Sequence, residues 1–101
     1  MSSINIEKKV EEKKMIVKVS GRLDTISSTE LNNELKDDLP NINELIFDFE
    51  GLNYISSSGL RIILSTQKVM NKQGKMTVKN VNDFVMEVFD ATSFTDILNI
   101  E

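Results

Sequence analysis

The chain has 101 residues, 40% of them apolar and 28% charged, which fits one domain of ordinary globular composition spanning residues 1–101. Twelve Lys and Arg against sixteen Asp and Glu leave a net charge of −4, a balance that gives no general attraction to nucleic acid or anionic lipid. With neither Cys nor His, the chain lacks thiolate chemistry, the commonest metal ligand and the commonest general base, so a metal site, a Ser-His-Asp triad and enzymatic turnover are not expected. Met1 to Val10 is polar and alternating, and no apolar run approaches about 18 residues. The expectation is a cytoplasmic chain with neither signal peptide nor membrane span.

Ile4 and Ile6 alternate with polar residues, and Met15, Val17 and Val19 alternate after a charged link, which predicts an antiparallel hairpin ended by Gly21. Leu31, Leu35 and Leu39 recur every four residues and predict a helix over Thr25 to Asp38. Thr25 or Ser27 stands ready to cap it, and Pro40 closes it. Leu45 to Phe49 is short and apolar, as in an interior strand with both faces covered, and Glu50 to Ile55 reads as a loop. Leu60, Ile63, Leu64 and Met70 predict a second helix over Gly59 to Gln73, with Gly74 placed as a left-handed terminator. Met76 and Val78 mark a fourth strand. Val81, Phe84, Val85, Val88 and Phe89 give the clearest amphipathic helix, and Phe94 to Ile100 an apolar tail that packs back as a turn or short strand.

The fold class is therefore α/β: a single domain with a mixed, mostly parallel sheet flanked by helices, in the order β-β-α-β-α-β-α with a short C-terminal strand or turn. Right-handed crossovers align the second, third and fourth strands. The segments that follow them, Gly21 to Thr25, Glu50 to Gly59 and Lys79 to Asn82, then converge on one sheet edge, where open α/β sheets place their sites.

Three serines and a glycine, Ser56-Ser57-Ser58-Gly59, begin the second helix. The simple reading is that one serine caps the helix. One would suffice, however, and none has Glu or Gln three residues later to complete a capping box. Gly59 costs about 1 kcal/mol relative to Ala within a helix, which points to a close approach at its backbone. A helix N-terminus also favours negative charge, so a phosphate on one of these serines is tolerated by the fold.

Phe47 to Ile55, followed by Ser56-Ser57-Ser58-Gly59-Leu60, resembles the signature of STAS domains. In that family a hydrophobic strand and short loop lead into an [Asp/Ser]-Ser-[Ser/Ala]-Gly-Leu run. Val19 to Thr25 is similar to the family's first conserved loop, Gly-x-Leu-Asp, and the element order matches from Ile4 to Ile100. The resemblance implies an anti-sigma factor antagonist in a bacterial partner-switching system, without a cofactor. Unphosphorylated, such a protein binds an anti-sigma factor, usually also a serine kinase of the histidine-kinase-like ATPase fold, and so frees a sigma factor. The kinase then phosphorylates one serine and a serine phosphatase restores it. By position that serine is Ser57, with Ser58 and then Ser56 as the alternative assignments; Ser56 stands where the family often has Asp. The implied partner-contact set is Asp24, Thr25, Ser56, Ser57, Ser58, Gly59 and Arg61.

Asp24 also reads as an ordinary helix-start carboxylate, and Arg22 and Arg61 are either solvated or positioned to meet a phosphate or a partner's acidic groups. A second function class is a STAS scaffold without a phosphorylation cycle, or a partner-switching regulator of an effector other than a sigma factor. Asp37-Asp38 and Glu11-Glu12 read as solvated charge, and no phosphate-binding loop or Gly-x-Ser-x-Gly elbow occurs.

Overall fold

The computed structural model describes residues 4–101; residues 1–3, counted above in the single domain, lie outside the described residues. Strands β1 (Ile4–Glu11) and β2 (Lys14–Leu23) form the expected antiparallel hairpin. After them come α1 (Thr25–Lys36), β3 (Glu44–Asp48), β4 (Leu52–Ile55), α2 (Ser57–Gln73), β5 (Lys75–Lys79) and α3 (Asp83–Ala91). Single 3-10 turns lie at Leu39–Asn41 and Phe94–Asp96.

The sheet runs β1-β2-β3-β5, with every pairing after the hairpin parallel. Its register lines side chains up across strands. Met15, Leu45 and Met76 form one row and Val17, Phe47 and Val78 the next, all buried. Leu31 and Leu35 of α1, Ile63 and Met70 of α2, and Val85 and Phe89 of α3 join these rows in one core cluster. Each such side chain contributes about 1.5–3 kcal/mol on burial, so this cluster fixes the helices on the sheet.

Several sequence expectations need correction. The segment expected as a loop, Glu50 to Ile55, contains β4, which pairs parallel with the end of β2 through Gly21↔Leu52, Arg22↔Tyr54 and Leu23↔Ile55. Gly21 does not end β2. It sits at φ 97° beside a register shift, and there the strand exchanges β3 for β4 as its neighbour. β3 is not covered equally on both faces: Leu45 and Phe47 are fully buried, whereas Glu44, Ile46 and Asp48 are half-buried.

Gly74 is not a left-handed terminator either, since its φ of 171° is extended. A Cβ there would lie 1.8 Å from the carbonyl oxygen of Asn43, so the close passage of that backbone excludes a side chain. α1 stops at Lys36 and Pro40 belongs to the separate 3-10 turn, while α2 begins two residues earlier than expected, at Ser57. The apolar tail does pack back: Ile100 forms a parallel bridge with Val78, supported by Val78 N donating to Asn99 O at 2.9 Å.

Candidate functional site at the head of the second helix

The end of β2 and the end of β4 are neighbouring strands, so the two helices that follow them start side by side. Asp24 caps α1: its carboxylate accepts from the amides of Ile26 (3.1 Å) and Ser27 (3.0 Å). Ser27 reciprocates, its hydroxyl oxygen accepting from the Asp24 amide at 2.8 Å. The cap is thus Asp24, one residue before the expected Thr25, and Ser27 completes the box from inside the helix. Ser28 is buried and donates to the Asp24 carbonyl.

At α2 the three serines separate by role. Ser56 is the cap: its amide donates to Leu23 O at 2.8 Å and its hydroxyl oxygen accepts from Gly59 N at 3.2 Å. Ser58 is half-buried, its hydroxyl 3.4 Å from that of Thr25, which ties the heads of α1 and α2 together. Ser57, the first helical residue, is exposed, and no described residue engages its hydroxyl. Of the three serines, Ser57 alone presents a hydroxyl that no described residue engages.

Gly59 faces inward. A Cβ there would come within 2.9 Å of both Leu23 Cγ and Ile55 Cγ1, so the close approach expected at this glycine is made by the protein's own core. Gly59, expected in the partner-contact set, is buried. Arg61 is exposed one turn beyond Ser57. Arg22 lies over the Tyr54 ring, its guanidinium carbon 4.1 Å from the centroid, a cation–π contact that occupies it within β2 and β4.

The third converging segment reaches a different part of the edge. Lys79 O accepts from Phe49 N at 2.9 Å, Asn80 Nδ2 donates to Asp48 Oδ1 at 2.9 Å, and Asn82 Nδ2 donates to Leu52 O at 2.7 Å. Lys79 to Asn82 therefore supports the turn into β4 rather than the serines. Partial burial works against ionisation of Asp48 most strongly. The hydrogen bonds from Asn80 and the Glu50 amide, with Lys18 and Lys79 nearby, outweigh it and hold the carboxyl below its usual range.

Residues 5–101 match the family model of the STAS domain. The chain belongs to the STAS domain family. The anti-sigma-B factor antagonist of Bacillus subtilis strain 168 is 27% identical to it over 99 residues, 97% of this chain and 91% of that relative. Among solved structures, an anti-sigma factor antagonist from Mycobacterium paratuberculosis superposes with a TM-score of 0.87 at 18% identity, covering 97% of this STAS domain and 85% of that chain. The Bacillus cell fate determinant SpoIIAA in its phosphorylated form gives 0.74 at 17% identity, covering 97% and 90%. These two likenesses establish the fold.

The sequence reading of this STAS domain passed over Ile26. It lies in the first turn of α1 beside Thr25 and is 77% exposed, the most exposed large apolar side chain among the described residues. Its signal was available: Ile26 falls outside the four-residue spacing of Leu31 and Leu35, so it cannot share their buried face. Among the described residues no helix is long and apolar enough to cross a membrane.

Proposed function

We propose that this STAS domain is an anti-sigma factor antagonist, a cytoplasmic binding module that docks when Ser57 is free and is released when Ser57 is phosphorylated. The observation that carries the reading is the division of labour among the serines: Ser56 caps, Ser58 contacts Thr25, and Ser57 alone is exposed and unengaged. The names of its relatives, anti-sigma-B factor antagonist among them, support the same reading.

The partner is an anti-sigma factor that is also a serine kinase of the histidine-kinase-like ATPase fold. It transfers the γ-phosphoryl group of ATP to Ser57 Oγ, the hydroxyl proton is lost, and ADP departs. A serine phosphatase returns the hydroxyl by hydrolysis to inorganic phosphate. The ester brings about −1.5 to −2 charges to a surface that must be desolvated on docking. A standard interface buries about 800 Å² per partner. A penalty of about 2.8 kcal/mol within it already weakens binding a hundredfold. The helix itself accommodates the charge, because its N-terminus favours anions.

Mass spectrometry after incubation with the anti-sigma factor kinase and ATP tests the acceptor: phosphate is expected on Ser57, and phosphate found only on Ser56 or Ser58 overturns the assignment. Ser57→Ala is expected to keep binding the anti-sigma factor while resisting modification, and Ser57→Asp to bind more weakly. Binding indifferent to phosphorylation speaks instead for a scaffold.

A further inference from the structure

Every charged side chain on α2 is a cation. The helix carries Arg61, Lys68 and Lys72 and contains no Asp or Glu, in a chain whose net charge is −4. At 3.6 residues per turn, Ser57, Arg61, Ser65, Lys68 and Lys72 share one arc of about 80°. All five are exposed, and they lie opposite the buried residues Gly59, Ile63 and Met70. With a rise of 1.5 Å per residue, the cations extend over about 16 Å, starting one turn beyond Ser57.

The fold gives these charges no ionic partner among the described residues. Among the described residues none of the three cations enters an ion pair, although Lys8, Lys9 and Lys18 all do. Exposed helices usually offset such cations with carboxylates three or four residues away. Here the positions four away from Arg61 are Ser57 and Ser65, and Lys68 and Lys72 stand four apart as a like-charged pair. Lys72, in the last turn, is favoured by the helix dipole, but Arg61 gains nothing from it.

We infer that the exposed ridge of α2 is a docking surface for a carboxylate-rich face of a partner protein, with Ser57 as its electrostatic gate. The gate rests on the reading of Ser57 as the phosphoacceptor. A phosphate on Ser57 sits on the same face, four residues before Arg61, at the spacing of helical ion pairs. It competes with the partner's carboxylates for the Arg61 guanidinium and repels the rest of the acidic face, so one modification acts on docking twice. A protein partner fits better than nucleic acid or lipid: three cations on a net acidic chain match a small carboxylate cluster, whereas phosphate surfaces repel the remainder of the domain.

The test compares the wild-type chain with the Arg61→Gln, Lys68→Gln, Lys72→Gln triple variant, using poly-L-glutamate as the acidic probe and amide chemical shifts as the readout. Perturbations confined to α2, weakening as salt rises and lost in the triple variant, are expected. Perturbations elsewhere, or unchanged in the variant, overturn the ridge. Duplex DNA or phosphatidylglycerol vesicles binding α2 more tightly than poly-L-glutamate overturn the choice of a protein partner. With the anti-sigma factor itself, the triple variant is expected to lose at least about tenfold in affinity at an unchanged melting temperature. Equal affinity for both chains removes the ridge and leaves the proposed function standing. A wild-type chain that binds poly-L-glutamate through α2 but no anti-sigma factor removes the proposed function and its gate, and leaves the ridge.

Discussion

The carbonyl of Leu23 accepts a 2.8 Å hydrogen bond from the amide of Ser56, joining the last residue of β2 to the cap of α2. The next residue after Leu23 is Asp24, the cap of α1. Both helices are therefore launched from one strand pairing, β2 with β4, and the separation of their heads is set by backbone rather than by flexible side chains. This is the arrangement a binding edge requires. Ser57, Thr25 and Ile26 are presented from the heads of two helices that this backbone pairing fixes.

Replacing Asp24 removes the reciprocal cap with Ser27. Asp24→Ala is expected to lower stability by about 1 kcal/mol, within the range measured for helix caps. Asp24→Asn, whose side-chain oxygen still accepts from Ile26 and Ser27, should lose much less. Urea denaturation of the three chains checks the order; an alanine variant as stable as the asparagine one removes the cap from the account.

Gly59 and Gly74 exclude a side chain for different reasons, and the difference is measurable. At Gly59 a methyl group meets Leu23 and Ile55 side chains at 2.9 Å, which can shift at an overpacking cost of about 1–3 kcal/mol. Better helix propensity returns about 1 kcal/mol of that. At Gly74 the obstacle is the Asn43 backbone at 1.8 Å, in a segment held by Lys75 N donating to Asn43 O at 3.0 Å. Gly74→Ala is expected to destabilise more than Gly59→Ala. Gly74→Asn should be no better than Ala, whereas a left-handed position would tolerate Asn. Chemical denaturation of the three variants decides between the two accounts.

Those two glycines also mark what a linear reading can reach. The helical faces were legible because Val85 and Phe89, Leu31 and Leu35, and Ile63 and Met70 obey helical spacing and are all buried. β4 was not, because Leu52 and Ile55 are its buried residues and their spacing of three breaks the strand period. Its partner stretch in β2 was hidden by Gly21, a strand breaker by composition that here redirects the strand. The obstruction at Gly74 comes from Asn43, far away in sequence, and only the folded chain brings them together. Ser57 was legible as a position in a motif, but its exposure relative to Ser56 and Ser58 depends on which serine caps, and that follows from where β4 ends.

Ile26 is the apolar group of the edge. Exposed at 77%, it contributes little to the folded state, and Ile26→Asp should leave the unfolding free energy within about 0.5 kcal/mol of wild type. If the anti-sigma factor covers the heads of both helices, the same substitution buries an unpaired charge in the interface and should weaken binding by about tenfold or more. Isothermal titration of wild type and variant reads the effect. Unchanged affinity places Ile26 outside the contact.

Acid sensitivity should trace to Asp48. Its folded-state pKa lies below the unfolded value, so between the two the unfolded chain binds more protons and stability rises with pH. The contribution is complete above about pH 4–5 and is lost as pH falls through the lowered folded value. With protonation the carboxyl ceases to be a charged acceptor for Asn80 Nδ2 and the Glu50 amide, and the turn into β4 loosens at its start. Asp48→Asn, which cannot ionise, should be less stable than wild type at neutral pH. The gap between their urea midpoints should narrow as the pH falls through and below the usual carboxylate range. A gap that stays constant across that range assigns the acid response to other carboxylates.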